Sequence, residues 1–409
     1  MTVIDRHWFG KNRRLMMKNT RISPFLLLLT AGLVARLSYQ MARSPVLPRF
    51  ARELNASPEA IGLIVAASTI TGICFKLPAG ALSDVLGRKR LMLLATLFFA
   101  VPPFLYMLIT DPSQLLLLRF VHGFATAVFS PVAAAAVADL YRTNRGERLG
   151  WFQTMSDLGA AIGPLVGGFV LFTLGTFSST YFLVGLIGLL PIFVVSQVPD
   201  KVPTRPQSGA PSRVSKFVAG MGQVLSHGAL LMTSTAEAAV YFGFGILSGF
   251  LPLYLQDVGY NDAQIGLVLG VQLVTTLIAK PFAGRVSDRV GHKPTILCGV
   301  LLCAVVLPLL VQTQLFILLC VLSGLYGFGM AVVTPSTAAL AADMAKEGNM
   351  GAALGVLGTI RDIGEAGGPI VAGFIIAQAS YGASFLIGGG VLAAIALLFA
   401  IGAPIPRHG

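Results

Sequence analysis

Gly80-Ala-Leu-Ser-Asp84-Val-Leu-Gly87-Arg88-Lys89-Arg90 is a short basic hairpin between two long apolar runs, and Gly284-Arg-Val-Ser-Asp288-Arg-Val-Gly291-His292-Lys293 repeats it 204 residues later. Over the thirty positions that start at Ile61 and at Ile265, eleven residues are identical, among them Lys76/Lys280, Gly80/Gly284, Asp84/Asp288 and Gly87/Gly291. The same offset carries Pro131 to Pro335 and Asp139 to Asp343. An offset of 205 carries Asp157 to Asp362 and Gly163-Pro164 to Gly368-Pro369. A period this long marks a duplicated domain, not a solenoid of short repeats.

Outward from the hairpins the chain is lipid-like. Of 409 residues, 55% are hydrophobic and 11% charged, where a soluble chain carries about a quarter charged residues. Apolar runs fall at 24–46, 60–80, 91–109, 114–139, 149–172, 180–198, 229–255, 263–284, 295–311, 314–341, 351–377 and 382–404. Each is near the length that crosses a bilayer, and backbone polar groups in lipid must be satisfied within the segment, which predicts helices. The expected fold class is an all-α integral membrane protein of twelve transmembrane helices in two pseudo-symmetric six-helix bundles. The domains are 1–198 with a basic tail, a Pro- and Ser-rich linker at 199–224, and 225–409.

The net charge of +12 raises nucleic acid as a partner, but the positions of the charges argue for membrane topology. With the N-terminus inside, 21 of the 29 Lys and Arg residues fall on the inner side, while the outer loops hold only Arg49 and Arg52. The positive-inside rule then predicts both termini in the cytoplasm and a multi-pass protein of the cell membrane, in a bacterium the inner membrane. The first run has no small-residue cleavage site after it and reads as a retained span. Cys74, Cys298, Cys303 and Cys320 all lie inside apolar runs, with no CxxC pair and no neighbouring His, so no disulfide, metal or cofactor is expected.

Charges inside the runs are the functional signal, because each costs several kcal/mol against hydrocarbon and so faces protein or water. The runs hold Arg36, Arg43, Lys76, Arg119, Asp139, Asp157, Glu237, Lys280, Arg361, Asp362 and Glu365; runs three, six, nine and twelve hold none. Every third helix is therefore expected to face lipid and the other eight to surround a polar cavity. Lys76 and Lys280 are expected to snorkel to the interface. Glu237 reads either as a proton site, since desolvation favours the neutral carboxyl, or as a fixed partner of Arg36 or Arg119. Asp157 reads as a proton or substrate group, or, with its duplicate Asp362, as a shared structural feature. Arg361 and Glu365, one turn apart, either neutralise each other or bind ligand. Arg36 has no acidic neighbour one turn away and either pairs across helices or binds an anionic group. His122 is a hydrogen-bonded packing residue or a proton relay. At the hairpin, Asp84 is expected to cap the following helix, Gly80 to allow close helix contact and Gly87 to permit the turn, with Arg88 in reach of Asp139. Gly159, Gly163 and Gly167 form one flat helix face, and Pro164 permits a bend.

Four stretches carry a family resemblance. Gly80-x-x-x-Asp84-x-x-Gly87-Arg88-Lys89-Arg90 resembles the loop motif between the second and third helices of the major facilitator superfamily. Arg119-Phe-Val-His122-Gly123 resembles its fourth-helix RxxQG motif, with His122 in place of Gln. Gly159-x-x-x-Gly163-Pro164-x-x-Gly167-Gly168 is similar to the fifth-helix motif of its drug:proton antiporters, and Pro45-Val-Leu-Pro48 resembles the PxxP of their twelve-helix branch. The resemblance implies two bundles that rock about a midplane site. It also implies a cytoplasmic charge-relay latch from Gly80, Asp84, Gly87, Arg88 and Asp139. A weaker copy would use Gly284, Asp288 and Asp343, where His292 replaces Arg88. The function implied is proton-coupled efflux of small amphipathic compounds by a monomer whose partners are substrate, protons and lipid. The alternative is a proton-coupled or facilitative carrier of an anionic metabolite such as an organic acid or siderophore. A membrane enzyme or receptor lacks support: there is no HExxH, GxSxG or Walker A motif.

Overall fold

Glycine and proline decide where the helices of this chain stop. The computed structural model describes residues 23–141, 143–200, 228–344 and 350–402, all helix and short turn; the expected basic tail and nearly all of the expected linker lie outside them. The first half comprises α1 (Pro24–Arg43), α2 (Val46–Glu53), α3 (Pro58–Leu86), α4 (Arg88–Tyr106), α5 (Pro112–Leu140), α6 (Arg145–Leu174) and α7 (Phe177–Ser196). The second comprises α8 (Gly228–Asp257), α9 (Asp262–Val290), α10 (His292–Leu309), α11 (Phe316–Met344), α12 (Met350–Gln378) and α13 (Tyr381–Gly402).

At one face of the molecule, Ser57, Asp111, Thr176 and Asn261 begin α3, α5, α7 and α9, each side chain accepting an N–H of the first turn. At the other face, single residues join α3 to α4 and α9 to α10: Gly87 at φ 92° and Gly291 at φ 102°. A side chain is strained in that conformation, so both hairpins need glycine. The first run is not one helix, as the sequence suggested. It breaks at Ser44-Pro45, and α2 turns Arg49 and Arg52 onto the second half.

Among the described residues, eleven helical segments, α1 and α2 counted together, are long and apolar enough to cross a membrane. The helix left out is α12, whose middle carries Arg361, Asp362 and Glu365. The helices whose apolar runs hold no charge, α4, α7, α10 and α13, contribute no residue to the central cavity and turn side chains such as Leu97, Phe193, Val305 and Leu397 outward. The remaining long helices, α1, α3, α5, α6, α8, α9, α11 and α12, surround it.

The halves meet along α3 with α12 and along α6 with α9. A Cβ placed on Gly62 would lie 2.2 Å from the Pro369 carbonyl oxygen, and one on Gly266 2.6 Å from that of Pro164. Likewise a Cβ on Gly168 would lie 2.5 Å from the Asp262 carbonyl oxygen and one on Gly373 2.4 Å from that of Pro58. These four contacts are two repeat-related pairs, and they close the face away from the hairpins backbone against backbone. The apolar core follows the same division. On the sealed side one cluster runs through both halves, joining Ile61, Val65 and Val170 to Phe250 and Ile265. Toward the hairpins it forks into a first-half cluster around Leu28, Met92 and Val132 and a second-half cluster around Leu230, Ala341 and Val356. The cavity occupies the fork.

Candidate functional site

The cavity has a polar region of about 420 Å³ and, toward the seal, an adjoining region of about 130 Å³. Both are lined by Arg36, Arg43, Asp157, Tyr241, Lys280 and Glu365. The smaller region adds Phe244, Leu273, Leu277 and Met330, so apolar side chains join the shared charged ones at the end toward the seal.

Two crossed ion pairs bridge the halves. Lys76 of α3 pairs with Asp362 of α12, and Lys280 of α9 pairs with Asp157 of α6 at 2.9 Å. They are repeat images of each other. The lysines therefore do not snorkel. Each meets a carboxylate at its own depth on the facing helix, which compensates the ammonium better than a stretched path to water. A third bridge joins Arg43 to Glu365 at 2.7 Å. Glu237 is 1% exposed, accepts a hydrogen bond from the Thr337 hydroxyl at 2.7 Å, and lies 3.8 Å from Arg361. Arg361 also stands 3.5 Å from Asp362 and over the Tyr241 ring, 5.1 Å from its centre. Glu237 is thus partnered by Arg361, not by Arg36 or Arg119. Arg361 and Glu365 do not neutralise each other, because they reach different helices: Arg361 to α8 and Glu365 to α1. Arg36 lines both regions and makes no ion pair or hydrogen bond with any described residue.

Arg119 and His122 lie behind the cavity wall, both fully buried. Arg119 donates to the Ser68 hydroxyl at 2.7 Å and stands 3.5 Å from the Tyr106 hydroxyl and 3.4 Å from His122 Nδ1. The Tyr106 hydroxyl is 3.0 Å from His122 Nδ1, and the imidazole packs edge-on against Tyr39. No carboxylate touches Arg119 among the described residues, and Ser68 and Tyr39 stand between it and the cavity.

The sequence profile of the Major Facilitator Superfamily matches residues 28–239 and 233–409. The chain belongs to the major facilitator superfamily. It is 24% identical over 360 residues to the uncharacterized MFS-type transporter MJ1560 of Methanocaldococcus jannaschii, covering 87% of this chain and 89% of that one. It is 23% identical over 352 residues to the quinolone resistance protein NorA of Staphylococcus aureus, covering 85% and 87%. It is 27% identical over 322 residues to the multidrug resistance protein MdtG of Klebsiella pneumoniae, covering 76% of each. In fold it is similar to the nucleoside transporter NupG, with TM-score 0.78 at 13% identity over 93% of this chain and 98% of that one. It is also similar to a bacterial homologue of the lysosomal transporter Spinster, in an inward-facing and unoccupied conformation, with TM-score 0.74 at 14% identity over 93% and 95%.

The superfamily's loop motif forms a compact ion cluster here. Arg88 bonds Asp139 at 3.0 Å, pairs with Asp84 and donates to the Ser83 hydroxyl. Asp84 does not occupy the N-cap of α4. Gly87 does, and Asp84 belongs to the last turn of α3. In the second copy His292 lies 3.5 Å from Asp343 and 2.8 Å from the Ser287 hydroxyl, while Asp288 is exposed and a Cβ on Gly284 would meet nothing within 4 Å. The antiporter-like glycines press α6 onto α1: a Cβ on Gly159 would lie 2.1 Å from the Leu33 carbonyl oxygen and one on Gly163 2.5 Å from Gln40 Cβ. A Cβ on Gly364 would likewise lie 2.1 Å from the Ala238 carbonyl oxygen. Its offset of 205 from Gly159 also relates Leu33 to Ala238, so α1 and α8 share this register.

That register exposes where the repeats diverge. Arg36 occupies the place of Tyr241, and Gly32 that of Glu237; at the hairpin offset of 204, Arg119 occupies the place of Ser323. The sequence reading picked out Arg36, Arg119 and Glu237 one at a time and missed Tyr241 and Thr337 altogether. A comparison of the two copies position by position carries the signal for Tyr241.

Proposed function

We propose that this transporter couples the export of small amphipathic compounds to proton entry by alternating access, with the hairpins and both termini in the cytoplasm. The observation that carries the reading is the position of Glu237: a buried carboxylate one arginine away from a bridge between the halves. While Glu237 is ionised it shares Arg361 with Asp362. A proton on Glu237 cancels that claim, turns Arg361 toward Asp362, and weakens the hold of Asp362 on Lys76. Proton uptake at one wall thereby loosens a contact that keeps the halves in register. The seal opposite brings helix backbones together at glycine surfaces, beside an apolar cluster shared by both halves and the Arg52–Asp257 contact, and opening would part all of these. Export as the direction is supported by the Gly159–Gly168 motif and by the drug-resistance names of the NorA and MdtG relatives.

A second reading, a carrier of an anionic metabolite, is favoured by Arg36 alone. It shares the fold and the rocking motion and differs in cargo and in whether protons are obligatory.

The test uses full-length protein in proteoliposomes with an imposed pH gradient and the amphipathic anionic dye 1-anilinonaphthalene-8-sulfonate. Gradient-driven dye movement is expected in the native protein, and Glu237→Gln is expected to reduce it to the level of protein-free vesicles while dye binding persists. Dye movement that ignores the gradient defeats proton coupling. Full gradient dependence in Glu237→Gln removes Glu237 from it.

A further inference from the structure

We infer that the cargo is an amphipathic monoanion: a carboxylate head held by Arg36, with an apolar body lying toward Phe244, Leu273 and Met330. The inference rests on the proposed use of this cavity as the transport path and adds the charge of what travels through it. Four of the five cations lining the cavity are answered by acids: Arg43 by Glu365, Lys76 by Asp362, Lys280 by Asp157, and Arg361 by Glu237 and Asp362. Arg36 alone is unanswered among the described residues, and it borders both the polar and the apolar region. Behind the same wall Arg119 is fully buried without a carboxylate, with Ser68 and Tyr39 between it and the cavity. Among the charges that line the cavity or lie just behind its wall, the first half therefore places Arg36, Arg43, Lys76 and Arg119 against Asp157, and the second places Lys280 and Arg361 against Glu237, Asp362 and Glu365.

Uncompensated cations in a low-dielectric wall are costly, and the cost falls when an anion arrives. A guanidinium offers a carboxylate two parallel hydrogen bonds, a planar match that an ammonium lacks. One unanswered cation specifies one negative charge. The facing position in the other repeat is Tyr241, which lines the same cavity and offers a ring to the body of the ligand.

The test is equilibrium binding to purified full-length protein in nanodiscs with three probes of one body: 1-naphthaleneacetate, 1-naphthaleneacetamide and 1-naphthylmethylammonium. The carboxylate is expected to bind about tenfold more tightly than the amide, the size of one charge-assisted hydrogen bond. Arg36→Gln is expected to erase that preference, and Arg36→Lys to recover part of it. Equal binding of the three probes, preference for the ammonium, absence of carboxylate binding, or a preference that survives Arg36→Gln overturns the inference. The native-protein comparison decides even if the variants fold poorly. Arg36-dependent carboxylate binding together with gradient-independent dye movement would defeat only the proton-coupling proposal. Gradient-driven dye movement with no carboxylate preference would defeat only the present one.

Discussion

The two halves share a scaffold and differ in what they show the cavity. Their seal is symmetric, Gly62 on Pro369 matching Gly266 on Pro164, and so are the crossed pairs Lys76–Asp362 and Lys280–Asp157. The cavity walls are not: Arg36, Arg119 and Gly32 of the first half stand where Tyr241, Ser323 and Glu237 stand in the second. Parts that move the halves against each other benefit from symmetry, because an alternating seal and bridge must serve both faces. Parts that bind have no such constraint. The two copies share one set of contacts between the halves, and their walls have diverged, with Arg36 on one side where Tyr241 stands on the other.

The sharpest way to break the comparison is at the crossed pairs. Asp157 is held by Lys280 and Gln153, whereas Asp362 is held by Lys76 and also by Arg361. Asp362→Asn is expected to lower gradient-driven flux at least about tenfold and to do more damage than Asp157→Asn, because it leaves Lys76 unanswered and also takes from Arg361 one of its two acids. Exchanging partners, Asp157→Lys with Lys280→Asp, is expected to recover most of the flux lost in Asp157→Lys alone. Equal loss from the two asparagine variants would show that Arg361 does not distinguish the crossings.

A smaller effect sharpens the contrast at the buried positions. Ser68 accepts the shortest hydrogen bond of Arg119, while Ser323, in the place of Arg119, donates to the Val268 carbonyl at 2.7 Å. Ser68→Ala strands part of a buried charge and is expected to cost about 2 kcal/mol, against about 1 kcal/mol for Ser323→Ala. Thermal unfolding of the two variants in the same detergent gives the order. The smallest effect is expected at Gly284, where a methyl group meets open space. Gly284→Ala should be neutral or stabilising by about 0.5–1 kcal/mol, and unimpaired flux would separate Gly284 from the hairpin mechanism to which Gly80 and Gly87 are assigned.

Much of this was legible in the chain. The absence of charge from runs three, six, nine and twelve singled out the helices that stay out of the cavity and expose apolar side chains, and the duplicated hairpin marked the chain as one unit used twice. Reading helix by helix failed where partners lie far apart in sequence. Arg361 and Glu365 look like a pair because they are one turn apart, yet their acceptor and donor are Glu237 and Arg43, on other helices. Lys76 looks like a snorkelling residue because nothing nearby in sequence answers it, yet Asp362 is 286 residues away and adjacent in space. The break at Ser44-Pro45 was carried by a proline already visible, but its consequence, Arg49 and Arg52 reaching Gln256 and Asp257, was not.

By itself, then, the amino-acid order determined that there are two copies, that they are helical and lie in lipid, and which side chains cannot face lipid, since those follow from hydropathy, periodicity and the cost of burying charge. Only the packed molecule decided which cation meets which acid, which face is shut, and that Arg36 is left over. Pairing depends on the depth and rotation of neighbouring helices, and those are set by contacts such as glycine against a distant carbonyl that no local pattern encodes.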